Sequence, residues 1–199
     1  MHWSNELRVM LRPIATYREL ARKADKNGVE LLFRRPLFVA LAFGAFTSFT
    51  VSGRLTFQLL IDGALFWSLI PVLQLLVMTG VVVAFSSRGR VPIPRAIDLF
   101  FIGHGPLLFW LLGVAGACLF FPSREIHLWP TVWGWFLPIS FVVVLIWSNV
   151  TTLGFLKGAL NLSPLGASKA LLLYTMIFWG LILSYLFAVE TLQLHRLVF

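Results

Sequence analysis

Long uncharged stretches alternate with short polar ones along this chain. Five are long enough to matter: residues 36–53, 64–85, 99–121, 128–148 and 170–189, each without a charged side chain and each with polar flanks. A bilayer core about 30 Å thick is crossed by about 20 apolar residues in helix. Lipid offers no partners to backbone amides, and strands would have to alternate apolar with polar residues, so the pattern predicts five transmembrane helices. The prolines inside them, Pro71, Pro106 and Pro138, predict kinks, because neighbouring helices can cover the freed carbonyls. The fold class read from the pattern is all-α: a polytopic membrane protein.

Residues 1–35 follow a different pattern and are read as a separate cytoplasmic segment ahead of a membrane domain at 36–199. Pro13 suits the first turn of a helix, and Ile14, Tyr17, Leu20, Ala21 and Ala24 then fall on one face. Arg12, Arg18, Arg22, Lys23 and Lys26 supply charge, and Asn27-Gly28 is a stop signal. A basic amphipathic helix beside a first span is expected in the cytoplasmic interface, with these residues, Arg34 and Arg35 on anionic lipid headgroups. A partner-binding helix or a merely solvated one is the alternative.

Composition agrees with lipid as the solvent. Hydrophobic residues make up 59 % and charged residues only 12 %, about half of what a soluble surface needs. The excess of Lys and Arg (16 against 8 Asp and Glu) would suggest nucleic acid in a soluble protein. Here it marks basic loops, and no nucleic-acid partner is expected. Thirteen of the Lys and Arg residues fall before the first span, in loop two (Arg88, Arg90, Arg95) or in loop four (Lys157, Lys169). Three, Arg54, Arg124 and Arg196, fall on the opposite side. The bias predicts a cytoplasmic N-terminus and a C-terminus across the membrane, with Trp129, Trp133 and Trp135 as anchors at the outer interface. The single cysteine, Cys118, allows no disulfide framework within the chain. A cleavable leader and lipidation signatures are not expected.

Small residues recur every four positions in three spans: Ala40, Gly44, Ser48 and Ser52; Gly113 and Ala117; Gly180, Ser184 and Ala188. Such stripes let a second helix approach closely, either within the bundle or from another subunit. Polar residues at depth are few. Gln74, His104 and Asn149 form the candidate intramembrane polar site, with Ser148-Asn149 read as closing the fourth span. Asp98 and Glu190 are placed at span boundaries within reach of water. His104 lies in Gly103-His104-Gly105-Pro106, where the helix is expected to loosen. A hydrogen bond to a freed carbonyl is one role for it. Haem ligation is the other, and it needs a second histidine at matching depth, whereas His127 and His195 fall near the opposite face and His2 near the N-terminus. No phosphate loop, metal-spaced cluster or activated nucleophile stands out, so neither catalysis, a metal nor a cofactor is expected.

The order of these features resembles the Yip1 family over nearly the whole chain. The motifs are Arg12-Pro13-Ile14-Ala15-Thr16-Tyr17-Arg18-Glu19-Leu20 and Phe100-Phe101-Ile102-Gly103-His104-Gly105-Pro106-Leu107-Leu108. A third runs from Gly154-Phe155-Leu156-Lys157 through Leu162-Ser163-Pro164 to Ser168-Lys169-Ala170. The resemblance implies a cytoplasmic N-terminal segment followed by five spans. The acidic Asp-Leu-Tyr-Gly-Pro element of eukaryotic trafficking members is absent, so the likeness is to a bacterial member in an inner membrane, without Rab-type GTPase binding. Three functions are compatible with this reading. They are a scaffold or accessory subunit assembling with other membrane proteins, a small transporter or lipid-handling protein using a polar cleft between spans two, three and four, and a membrane-shaping protein.

Overall fold

The computed structural model describes residues 3–23, 30–52, 57–85, 91–120 and 130–191. Lys26, the Asn27-Gly28 stop, Arg54, Arg88, Arg90, Arg124, Trp129, Arg196 and the histidines other than His104 lie outside them. So do the side chains of Ser52, Trp133 and Glu190. The described residues form helices only: α1 (Trp3–Leu11), α2 (Pro13–Arg22), α3 (Glu30–Ser52), α4 (Phe57–Phe85), α5 (Ile93–Ile102), α6 (Gly105–Phe120), α7 (Pro130–Gly158) and α8 (Pro164–Thr191).

Three of these helices are long and apolar enough to cross a bilayer, over Gly63–Phe85, Gly134–Gly158 and Pro164–Val189; α5 and α6, bent by 42° at their junction, make a fourth if taken as one span. The charged residues of α3 run through Arg35, which leaves it a shorter uncharged stretch than these. Outward from the bundle, α7 and α8 present Phe136, Ile139, Val142, Ile146, Met176, Leu183 and Phe187, all more than half exposed. Apolar surface this continuous suits lipid and not water.

The first two long helices form a tight hairpin. A Cβ placed on Gly44 of α3 would overlap the Ala64 carbonyl oxygen of α4, and one on Gly63 would overlap the Ser48 side chain. Ala40 and Ser48 are buried beside them, so the stripe on α3 is consumed within the chain. The other two stripes are not. Gly113 and Gly180 have open space where a Cβ would stand, Ser184 and Ala188 are exposed, and Ala117 is half-buried.

The third span departs from a single helix over 99–121. It starts at Ile93, after Pro92, and stops at Ile102, where the Gly103 and His104 amides bond three residues back, to Phe100 and Phe101 (3.0 and 3.3 Å). The cause is Pro106. It has no N–H to give the Ile102 carbonyl, and its ring disfavours helical backbone at Gly105. The helix restarts as α6 with Pro106 in its first turn. Pro71 and Pro138 lie inside continuous helices.

The fourth span continues ten residues beyond the expected end at Ser148. The Thr151 and Thr152 hydroxyls donate to the Ser148 carbonyl at 2.9 Å, so these polar residues are satisfied inside the helix and do not close it. The chain reverses after Gly158 through Asn161, whose φ of 53° is a conformation asparagine tolerates better than most residues. Ser163 then caps α8, its hydroxyl accepting from the Gly166 amide at 3.1 Å.

The largest core lies at one end of the bundle, where the C-terminal ends of α4 and α7 meet α5, α1 and α2. Here α2 differs from a helix lying in the lipid interface. Of its expected apolar face, Tyr17 and Leu20 are buried against protein, with Thr16 beside them, while Ile14 stays exposed and Ala24 lies outside the described residues. Tyr17 meets Phe155 edge-on at 5.7 Å. Gly154 and Gly158 permit this, since a Cβ at either would collide with Pro13 or with Ile14 and Tyr17. Arg12, Arg18, Arg22 and Arg34 remain exposed, as the headgroup expectation requires of them.

Candidate functional site

Two polar assemblies stand out in this apolar molecule. The first surrounds Asp98, which is fully buried and not at a water-reached boundary. Arg35 Nη1 donates to both of its carboxylate oxygens at 2.8 Å. Arg95 Nη1 donates to Oδ2 at 2.9 Å and Arg95 Nη2 to the Leu20 carbonyl at 3.3 Å. Glu6 lies 3.7 Å from Arg35. Arg35 is thus an internal ion-pair partner and not a free headgroup contact. The network ties α1, α2, α3 and α5 together, with its charges paired.

The second assembly is built by the helix break. With α5 ended at Ile102, His104 turns inward, stacked on Phe101 at 4.8 Å and edge-on to Phe100 at 5.0 Å. Its Nε2 stands 2.9 Å from Gln74 Oε1 on α4, and Gln74 Nε2 donates to the Tyr174 hydroxyl on α8 at 3.0 Å. Two acceptors cannot bond one another, so Nε2 carries the ring proton. Nδ1 is buried and finds no partner among the described residues. Tyr174 is itself held by rings, parallel to Phe178 at 5.7 Å and edge-on to Phe100 at 5.8 Å.

These three side chains line one cavity of about 230 Å³ between α4, the α5–α6 break, α7 and α8. Its remaining walls are mostly apolar: Phe43, Ile70, Leu107, Phe141, Leu145, Phe178 and Ile182 among them. Ser148 also lines it, with a buried hydroxyl that makes no hydrogen bond among the described residues. Asn149 lines it too, but its amide donates to its own helix at the Leu145 carbonyl, 2.8 Å away. Asn149 and Trp179 are exposed lining residues on α7 and α8, so the cavity reaches the outside between these two helices.

Of the three expected site residues, the structure therefore joins Gln74 directly to His104 and leaves Asn149 at the rim. The sequence reading missed Tyr174 and took Ser148 only as part of the end of the fourth span. A signal for Tyr174 existed: Gln74 in an apolar span needs a partner, and Tyr174 is a polar-tipped residue in the early part of the fifth span. His104 meets the Gln74 side-chain amide, and the Phe100 and Phe101 carbonyls lie within reach of its ring.

The back of the break is equally packed. The Gly103 carbonyl accepts from Thr151 Oγ1 at 3.2 Å, and a Cβ on Gly103 would stand 2.6 Å from the Tyr17 hydroxyl. Burial pushes the Tyr17 phenol up, away from ionisation. Its hydroxyl is buried without a hydrogen bond among the described residues.

The chemistry open to the cavity is recognition by neutral hydrogen bonds. No charged residue lines it, and no group of three side chains able to hold a metal occurs among the described residues. The described part of the chain offers one histidine, so bis-histidine haem ligation is not assembled there. No family model, no curated protein and no solved structure matches this chain, so the reading of the site rests on its own geometry.

Proposed function

We propose that this chain is a five-span integral membrane protein of the Yip1-like type, of a bacterial inner membrane with a cytoplasmic N-terminus. It acts without catalysis, by holding an uncharged membrane amphiphile in the cavity beside His104. One observation carries the reading. Three hydrogen-bonding side chains from three separate spans converge on a single cavity that is otherwise apolar and that meets the outside between α7 and α8. Ligand sites combine apolar walls with a few convergent polar groups in this way. A purely structural use of Gln74 and His104 needs no cavity beside them.

The test is extraction and mass spectrometry of lipids retained by the protein purified in mild detergent. A defined amphiphile in stoichiometric amount is the expected result, lost in a Gln74→Leu/His104→Phe double variant that keeps its elution profile. An identical lipid content in both preparations would overturn the reading.

A second reading, accessory subunit of a larger membrane complex, is favoured by the uncovered stripe Gly180, Ser184 and Ala188 on α8. Small residues facing outward suit another helix better than lipid tails. Purification of the protein alone and monomeric from its native membrane would count against it.

A further inference from the structure

Resting on the reading of the cavity as a binding site, we infer that its ligand presents a carbonyl oxygen ahead of an apolar tail, with Tyr174 as the hydrogen-bond donor to that oxygen. The direction of the hydrogen-bond chain carries the inference. His104 Nε2–H donates to Gln74 Oε1, and Gln74 Nε2–H donates to the Tyr174 oxygen. Tyr174 therefore acts as an acceptor toward Gln74, and its own proton is directed elsewhere. The described residues give that proton no acceptor, although the side chain is only 6 % exposed and lines the cavity. A phenol buried with an unused O–H carries an unmet desolvation penalty, which an incoming acceptor removes. The second N–H of Gln74 and the Ser148 hydroxyl, also unpartnered, add donors on the same walls.

The walls narrow the class further. Without Lys or Arg in the lining, a phosphate or carboxylate would be buried as an unpaired anion, and without Asp or Glu an ammonium would fare no better. A volume of about 230 Å³ is below the usual range for a whole drug-sized ligand, so the cavity takes a head and leaves the tail to pass out between α7 and α8. Rings of Phe100, Phe141, Tyr174 and Phe178 suit a flat or ester-bearing head. Two sources share this chemistry: the ester carbonyl of an uncharged diacyl lipid, and the ring carbonyl of an isoprenoid quinone.

The experiment uses the full chain in detergent, loaded separately with dioleoylglycerol, a decyl-substituted benzoquinone or hexadecane, the last having no acceptor. Retention is read by native mass spectrometry, and the carbonyl stretch of the first two by infrared difference spectroscopy with carbon-13 label. We expect one carbonyl probe to be retained in preference to hexadecane, with its band lowered on binding. Tyr174→Phe should weaken that probe about tenfold, the loss of one neutral hydrogen bond, and return its band to the unbound position. Which of the two probes responds names the source. The wild-type band shift serves as the readout if the variant does not fold. Equal retention of all three probes with an unmoved carbonyl band overturns the inference and leaves the amphiphile reading standing. Retention of none overturns both.

Discussion

Asp98 shows how one buried carboxylate organises a membrane protein's end. It accepts from Arg35 on α3 and from Arg95 on its own helix, and Arg95 reaches on to α2. Removing one partner of a fully buried pair typically costs about 3–5 kcal/mol, and less where the survivor keeps contact with water, as Arg35 does with a third of its side chain exposed. Asp98→Ala should accordingly lose about 3 kcal/mol of stability in detergent, measured by chemical denaturation. An Arg35→Ala/Asp98→Ala double variant should lose less than the sum of the two single changes. The sequence placed Asp98 one residue before an uncharged run, and the natural inference was contact with water. Arg95, three residues back on the same helix, was a local signal, but Arg35 lies 63 residues away and nothing local announced it. Gly44 is the opposite case: its spacing from Ala40 and Ser48 was visible, and the close approach to Ala64 follows from it. At Ser148 and Asn149 the pattern misled because an amide bonded back to its own helix, as in Asn149, or a hydroxyl turned into a cavity, as in Ser148, looks in sequence like the polar end of a span.

Elements bring further consequences. Helix α2 was legible as amphipathic, since Pro13 and the spacing of Tyr17 and Leu20 define it, but not what would cover its apolar face. Gly154 and Gly158 form the groove that receives it, and they read in sequence only as glycines in a hydrophobic run. The pair α1–α2 is also held to itself by Glu19, which bonds Lys23 at 2.7 Å and pairs with Arg8. Lys23 first, and then Arg8, lower the Glu19 carboxyl from 4.5 to about 2. A carboxyl depressed on folding stabilises above its ordinary value and ceases to do so as pH falls through the lowered one. The α1–α2 clasp should therefore hold at pH 5 and above and weaken between about pH 4.5 and 2. Spin labels at Leu11 and Val150, followed by electron-resonance distance measurements, should show a broadening distribution over that window. A Glu19→Gln variant should be insensitive to pH there.

The molecule as a whole has a packed, charge-tied end, and toward the other end the tight α3–α4 hairpin and the uncovered stripe of α8. Its helical, lipid-facing character was plain from hydropathy. The break at Gly103-His104 was foreshadowed by Pro106, and a cleft around Gln74, His104 and Asn149 was one of the expectations. Its wall from α8, with Tyr174, was not legible, because a cavity is a property of four helices at once. The basic excess before the first span and in loops two and four argues that the packed end faces the cytoplasm. Cysteines introduced singly at Arg18 and Ser163 should then react with a membrane-impermeant maleimide only in inverted vesicles. Labelling of both in intact cells would reverse the orientation.

The link between Arg35 and Asp98 also bears on how the chain is made. Arg35 leaves the ribosome at the head of the first hairpin, long before residue 98 exists, and a cation is costly anywhere but at a headgroup or beside a carboxylate. Until the third hydrophobic segment is delivered, that guanidinium has Glu6, 3.7 Å away in the finished fold, and lipid phosphate to hold it at the membrane surface. Arrival of Asp98 supplies its buried carboxylate partner, so the first hairpin gains this tie to the rest of the bundle only when the next segment has been synthesised.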